Sequence, residues 1–175
     1  MQDLAALVDG FTRDGYAVVP AFVPKRAAYD LVASMDTLVD GWQPESRHSV
    51  FHVNNEAGDA RSDDATERDA YLIRSADQIA FFLEPGAINA TTGAFTAGLP
   101  KTRMLNKVGH GLHIRDEAFR RYSESEPVAR LVRALGYAAP RLVQSMFIFK
   151  QPRIGEEVTS HQDATFLHTA PPHTC

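Results

Sequence analysis

Apolar residues recur at helical spacing from the start of the chain. Leu4, Leu7, Val8 and Phe11 fall at i, i+3, i+4 and i+7 behind Asp3, which can cap, and Asp14-Gly15 closes the run. Tyr16-Ala17-Val18-Val19, ended by Pro20, is a short β-prone stretch. Pro24 then opens a second helix whose stripe is Ala28, Leu31, Val32, Met35, Leu38 and Val39. Both helices are amphipathic, so each requires a larger surface to lie on. From Asp40 to Asp69 the chain turns polar and irregular, which predicts a long loop with a solvated acidic half.

Beyond the loop, Tyr71–Arg74 and Ile79–Leu83 read as strands, and the glycines and prolines between Glu84 and Pro100 as turns around a hairpin. A third helix is marked by Ser125 as cap, Pro127 in the first turn, a stripe of Val128, Leu131, Val132 and Leu135, and Gly136 just past the end. The strongest strand signal is Arg141–Lys150. It sets Leu142, Gln144, Met146, Ile148 and Lys150 on one face and Val143, Ser145, Phe147 and Phe149 on the other. A last extended segment runs from Val158 to Leu167.

Composition narrows the class. With 175 residues, 44% hydrophobic and 23% charged, the chain has the make-up of one globular domain. A net charge of −4 without a basic block argues against nucleic-acid and anionic-membrane partners. The single cysteine, Cys175, excludes an internal disulfide and a cysteine-based zinc site. No targeting signal and no apolar run of membrane-spanning length is legible, so the expected location is the cytoplasm.

The chemistry centres on His161-Gln162-Asp163. Side chains two apart on an extended segment share a side, so His161 and Asp163 can converge and supply two of the three ligands of a 2-His-1-carboxylate site for non-haem Fe(II). Alone the pattern is weak. A plain hydrogen-bonded His–Asp pair is its commoner origin, and a site for another divalent metal is a further alternative. Lys107 and Met146, taken alone, would be a solvated surface lysine and a core methionine.

Several co-ordered motifs sharpen this picture. Gln144-Ser145-Met146-Phe147-Ile148-Phe149-Lys150-Gln151-Pro152, then Gly155 to Asp163 (GEEVTSHQD), and Asn106 to His113 (NKVGHGLH) all resemble stretches of the phytanoyl-CoA dioxygenase family, above all its domain-containing proteins. The opening FTRDGYAVVPAFV resembles the same family's entry from helix to strand. The resemblance implies an α+β fold in which N-terminal helices pack on a double-stranded β-helix, a cupin-like jelly-roll. Residues 1–40 would be the helices, 41–70 the loop, and 71–167 the start of the β-helix with a helix near 125–135.

The resemblance also implies Fe(II) and 2-oxoglutarate, with ascorbate as a supporting reductant, O2 as oxidant and a small or acyl-type molecule as the hydroxylated substrate. His161 and Asp163 match metal ligands, and Lys107, Met146 and Gln162 match positions facing 2-oxoglutarate. The family's second histidine and the arginine that follows it are not matched. His168, seven residues from His161, faces away on a straight strand, and His173 follows Pro171-Pro172 in the terminal tail. His110 and His113 match another part of the pattern. The expectation is a single, incomplete domain lacking the C-terminal half of the β-helix and inactive on its own. The alternative is a catalytically dead relative that serves as a binding or regulatory module, or a non-functional fragment.

Overall fold

A computed structural model describes residues 4–44, 49–50, 70–89, 91–155, 157–158 and 160–161. Helix α1 spans Leu4–Asp14. It ends where Gly15, at φ 79°, turns its N–H onto the carbonyl of Phe11 at 2.8 Å, a left-handed cap that glycine adopts without strain. Helix α2 spans Lys25–Gly41, and Pro24 precedes it with an extended ψ of 141°. Lys101 closes its other end, its Nζ donating to the carbonyls of Val39, Asp40 and Trp42 at 3.3, 2.8 and 2.5 Å. A cation is favourable there because the last carbonyls of a helix lack intrahelical donors.

Four strands follow, β1 at Ser49–Val50, β2 at Ile79–Leu83, β3 at Leu105–His110 and β4 at Ser145–Ile148, side by side in that order. β3 runs antiparallel to both β2 and β4, and the two residues of β1 run parallel to β2. Short helices α3 (Lys101–Met104), α4 (Leu112–Arg115) and α5 (Glu117–Ser123) and the longer α6 (Glu126–Ala134) occupy the connections. α1 lies against α6, and α2 against α5. No described helix is long and apolar enough to cross a membrane.

Helices cover one side of the sheet. Paired residues on neighbouring strands share a face, so Phe81, Val108 and Phe147 point the same way. There Trp42 stacks on Phe81 at 5.1 Å, and Phe119 meets Phe147 edge-on at 6.3 Å. Met35, Val39, Leu83, Leu105, Val108 and Leu112 complete a dry core. Each such side chain contributes about 1.5–3 kcal/mol by leaving water. The opposite face carries Phe82, Lys107, Gly109, Met146 and Ile148.

Several expectations are corrected. Residues 16–19 form no strand, and Tyr16 and Val18 stand exposed. β-propensity is realised only against a neighbouring strand, and none of those described is there. Residues 70–74 are helical instead of extended. Their first turn carries the Tyr71 hydroxyl to the edge of β2, where it accepts from the Phe81 N–H at 3.1 Å and donates to the Phe81 carbonyl at 3.0 Å. The long strand over 141–150 shrinks to β4, because His110, the last residue of β3, already pairs with Ser145 and no described strand lies beside Leu142 and Val143. Ser125 stands at the cap position of α6 without a side-chain cap bond, its Oγ buried and unpartnered. The short hairpin expected within 84–100 is present: a 3-10 turn at Pro85–Ala87 leads into an antiparallel bridge between Ile88 and Phe95. Asn89 N–H donates to the Ala94 carbonyl at 2.9 Å, and Thr96 N–H to the Ala87 carbonyl at 3.0 Å. Of the segment 158–167, Val158, Ser160 and His161 have no regular structure, and 162–167 lies outside the described residues, as do Asp3 and most of the polar loop.

Candidate functional site

β3 reads as a poor strand, with Asn106, Lys107, Gly109 and His110 among its six residues. Its polar side chains are nevertheless largely buried, Lys107 being 9% and His110 5% exposed. Lys107 is thus an interior lysine, and Met146 is 40% exposed, so neither has the setting that its residue type alone suggests.

Register brings them together. Lys107 pairs with Ile148 and with Phe82, and Gly109 pairs with Met146, so Lys107 and Met146 lie on one sheet face on adjacent strands. Gly109 makes the approach possible. A Cβ there would stand 3.0 Å from Met146 Cγ and 3.2 Å from the Ser145 carbonyl, so the methionine lies across the bare backbone. The Lys107 ammonium sits 5.1 Å over the ring of Phe82. Removal from water lowers its pKa to about 8.

Two serines hold the two histidines that flank Gly111. Ser75 Oγ lies 2.7 Å from His110 Nδ1, and Ser145 Oγ lies 2.7 Å from His113 Nδ1. His110 also packs edge-on to Phe82 at 5.2 Å. Burial, and then the charge of Lys107, push its pKa down to about 4, so the ring is neutral near pH 7.

A buried carboxylate lies under the approach to the histidine motif. Glu84 is 3% exposed and accepts from Asn106 Nδ2 at 3.0 Å. The turn that follows β4 passes directly over it. Ile154 N–H reaches the Gln151 carbonyl at 3.3 Å, and a Cβ on Gly155, at φ 96°, would stand 3.4 Å from Glu84 Oε1. His161 lies exposed beyond that turn. Gln162 and Asp163 are outside the described residues. Among the described residues there is no group of three or more histidine, cysteine, aspartate or glutamate side chains able to hold a metal.

Sequence reasoning did not find Ser75 or Glu84. Asn106 and His110 stand inside the motif over 106–113, whereas Ser75 is 35 residues from His110 and belongs to no motif.

One face of the sheet thus carries a buried lysine beside a methionine. Residues 11–175 match the family model for phytanoyl-CoA dioxygenase (PhyH). The chain is 35% identical over 169 residues to phytanoyl-CoA dioxygenase domain-containing protein 1 homolog of Caenorhabditis briggsae, covering 96% of this chain and 55% of that protein. It is 48% identical over 101 residues to phytanoyl-CoA dioxygenase domain-containing protein 1 of Rattus norvegicus, covering 58% of this chain and 34% of that protein. It is also 35% identical over 164 residues to phytanoyl-CoA dioxygenase of Arabidopsis thaliana, with coverages of 94% and 54%. This chain belongs to the phytanoyl-CoA dioxygenase family. It spans about half the length of the curated relatives that it matches along most of its own length.

Proposed function

We propose that the chain carries the first part of an Fe(II)- and 2-oxoglutarate-dependent dioxygenase site on a jelly-roll that these strands begin. His161 and Asp163 would hold the metal, and Lys107, Met146 and Gln162 would face the co-substrate. The iron and 2-oxoglutarate, when bound, supply the oxidising power to hydroxylate an unactivated C–H bond of a small or acyl-type substrate with O2.

The observation that carries this reading is the shared face of Lys107 and Met146. An ammonium already stripped of water pairs with a carboxylate at little further desolvation cost, and the pairing favours its charged form. Phe82 and the Met146 thioether give the carbon chain of such an anion an apolar wall and keep water off the ion pair. The donor types fit a dicarboxylate. The metal half of the site rests on His161 and Asp163, two ligands of the three that a facial triad uses. These 175 residues alone are therefore expected to bind Fe(II) weakly and to release no succinate.

Anaerobic titration of the full chain with 2-oxoglutarate, with and without Fe(II), tests the proposal. The expected result is binding that weakens by about tenfold or more in Lys107→Met, the loss of one charge-assisted pair. Equal binding by wild type and Lys107→Met overturns the co-substrate assignment. Succinate release above that of His161→Ala overturns the expected inactivity.

A further inference from the structure

A buried polar junction joins segment 70–78 to the end of β3. Ser75 Oγ donates to the Leu72 carbonyl at 2.6 Å, and a hydroxyl has a single proton. Ser75 can therefore only accept from His110, so the ring proton lies on Nδ1 and Nε2 keeps its lone pair. Backbone bonds hold the same junction, His110 N–H to the Ser75 carbonyl at 3.2 Å and Gly111 N–H to the Gln78 carbonyl at 2.9 Å. Arg115 grips both the carbonyl and the carboxylate of Asp77, at 2.7 and 3.1 Å. The ring so fixed rests against Phe82, the residue over which the Lys107 ammonium sits.

We infer that His110 is a positioning residue for Lys107: Ser75 fixes its tautomer, and the uncharged ring, wedged against Phe82, holds the lysine in place without setting a second cation beside it. This deepens the co-substrate reading and rests on it for the identity of the anion that Lys107 meets. The reason is electrostatic. An imidazolium at this site would push the lysine to lose its proton nearer pH 7, and the face would forfeit the charge that recognises a carboxylate. The charged and titratable groups on the elements contacting His110 are Lys107 on its own strand, Tyr71, Arg74 and Asp77 on segment 70–78, and His113 and Arg115 on α4. Of these, Asp77 and Arg115 neutralise each other.

Nitrogen NMR of the full chain reads both halves of the inference, through the His110 ring nitrogens and the titration of Lys107 Nζ. The wild-type ring should stay neutral with its proton on Nδ1 between about pH 5 and 8, a window in which an ordinary histidine changes charge. Ser75→Ala should move the ring proton towards Nε2 and shift the Lys107 titration. His110→Ala should shift that titration further and, with the ammonium no longer held in place, weaken 2-oxoglutarate binding about tenfold, the scale of one charge-assisted pair. His110→Gln, uncharged and able to donate to Ser75, should restore both. A ring that titrates like an ordinary histidine overturns the inference, as does a Lys107 titration unmoved by Ser75→Ala and His110→Ala. Should His110→Ala not fold, Ser75→Ala alone decides. If Lys107 responds to these variants but no 2-oxoglutarate binds even to wild type, the positioning stands and the co-substrate reading falls.

Discussion

The ammonium of Lys107 sits 5.1 Å over the ring of Phe82, and both side chains are buried. Attraction between a desolvated cation and an aromatic face contributes about 2 kcal/mol. The cost of drying an ammonium is larger, several kcal/mol, so the balance favours losing the proton and the pKa falls to about 8. Only the protonated form pairs with a carboxylate. Affinity for 2-oxoglutarate should therefore be nearly flat up to about pH 8 and then fall, approaching tenfold per pH unit. Calorimetry across that range checks it, with Lys107→Met as the weak control whose residual affinity does not follow pH.

His110 predicts an acid-sensitive fold. Its pKa is about 4 in the folded chain and 6.5 as the ordinary value, so between these limits the unfolded chain binds the extra proton. Its contribution to stability is complete above about pH 6.5 and is lost as pH falls through about 4. Urea midpoints measured over this window should drop on acidification for wild type. The drop should be shallower for His110→Gln, which has nothing to titrate.

Two glycines should respond in opposite directions to alanine. A Cβ on Gly111 would lie 2.6 Å from the carbonyl carbon of Asp77 and 2.8 Å from the nitrogen of Gln78, both rigid backbone. Gly111→Ala is expected to cost about 1–3 kcal/mol, because the clasp between segment 70–78 and α4 must open to admit it. Gly10 lies within α1, and a methyl added there would meet nothing within 4 Å, so Gly10→Ala should stabilise by about 0.5–1 kcal/mol. Denaturant melts of the two variants distinguish these signs directly.

Asp116 links two helices with one carboxylate. Oδ1 accepts from the N–H groups of Ala118 and Phe119 at the start of α5, at 3.0 and 3.1 Å, while Oδ2 accepts from Ser34 Oγ of α2 at 2.6 Å. Asp116→Ala should cost about 2 kcal/mol, the sum of a lost cap and a lost part-buried hydrogen bond. Asp116→Asn keeps an oxygen for the cap and should lose less than half of that. Thermal denaturation of both variants beside Ser34→Ala separates the cap from the link.

Hydrophobic spacing made α1, α2, α6 and β2 legible, because each buries a regular stripe or run. β3 was not, since a strand that encloses a lysine, a histidine and a glycine has the composition of a loop. Its place in the sheet is decided by Phe82 and Met146, which flank it in space and lie far from it in sequence. Residues 70–74 misled for the converse reason. Tyr-Leu-Ile favours strands, yet the helical turn lets Tyr71 and Ser75 reach β2 and His110 at once. Lys107 and Met146 were legible as a pair only through family resemblance, because no local rule announces a buried lysine. The serine that fixes His110 could not be read at all, as nothing in a lone Ser75 points to a ring across the fold.

The Tyr71 hydroxyl stands in for a strand partner at one residue of β2. By taking both the N–H and the carbonyl of Phe81, it does with one atom what a neighbouring strand would do, while β1 pairs alongside Phe82 and Leu83. β2 is thereby sealed against further partners along most of its outer margin. Among the described residues the opposite margin, β4, has no such stopper. A strand added at β4 would lie next to Met146, which shares its sheet face with Lys107.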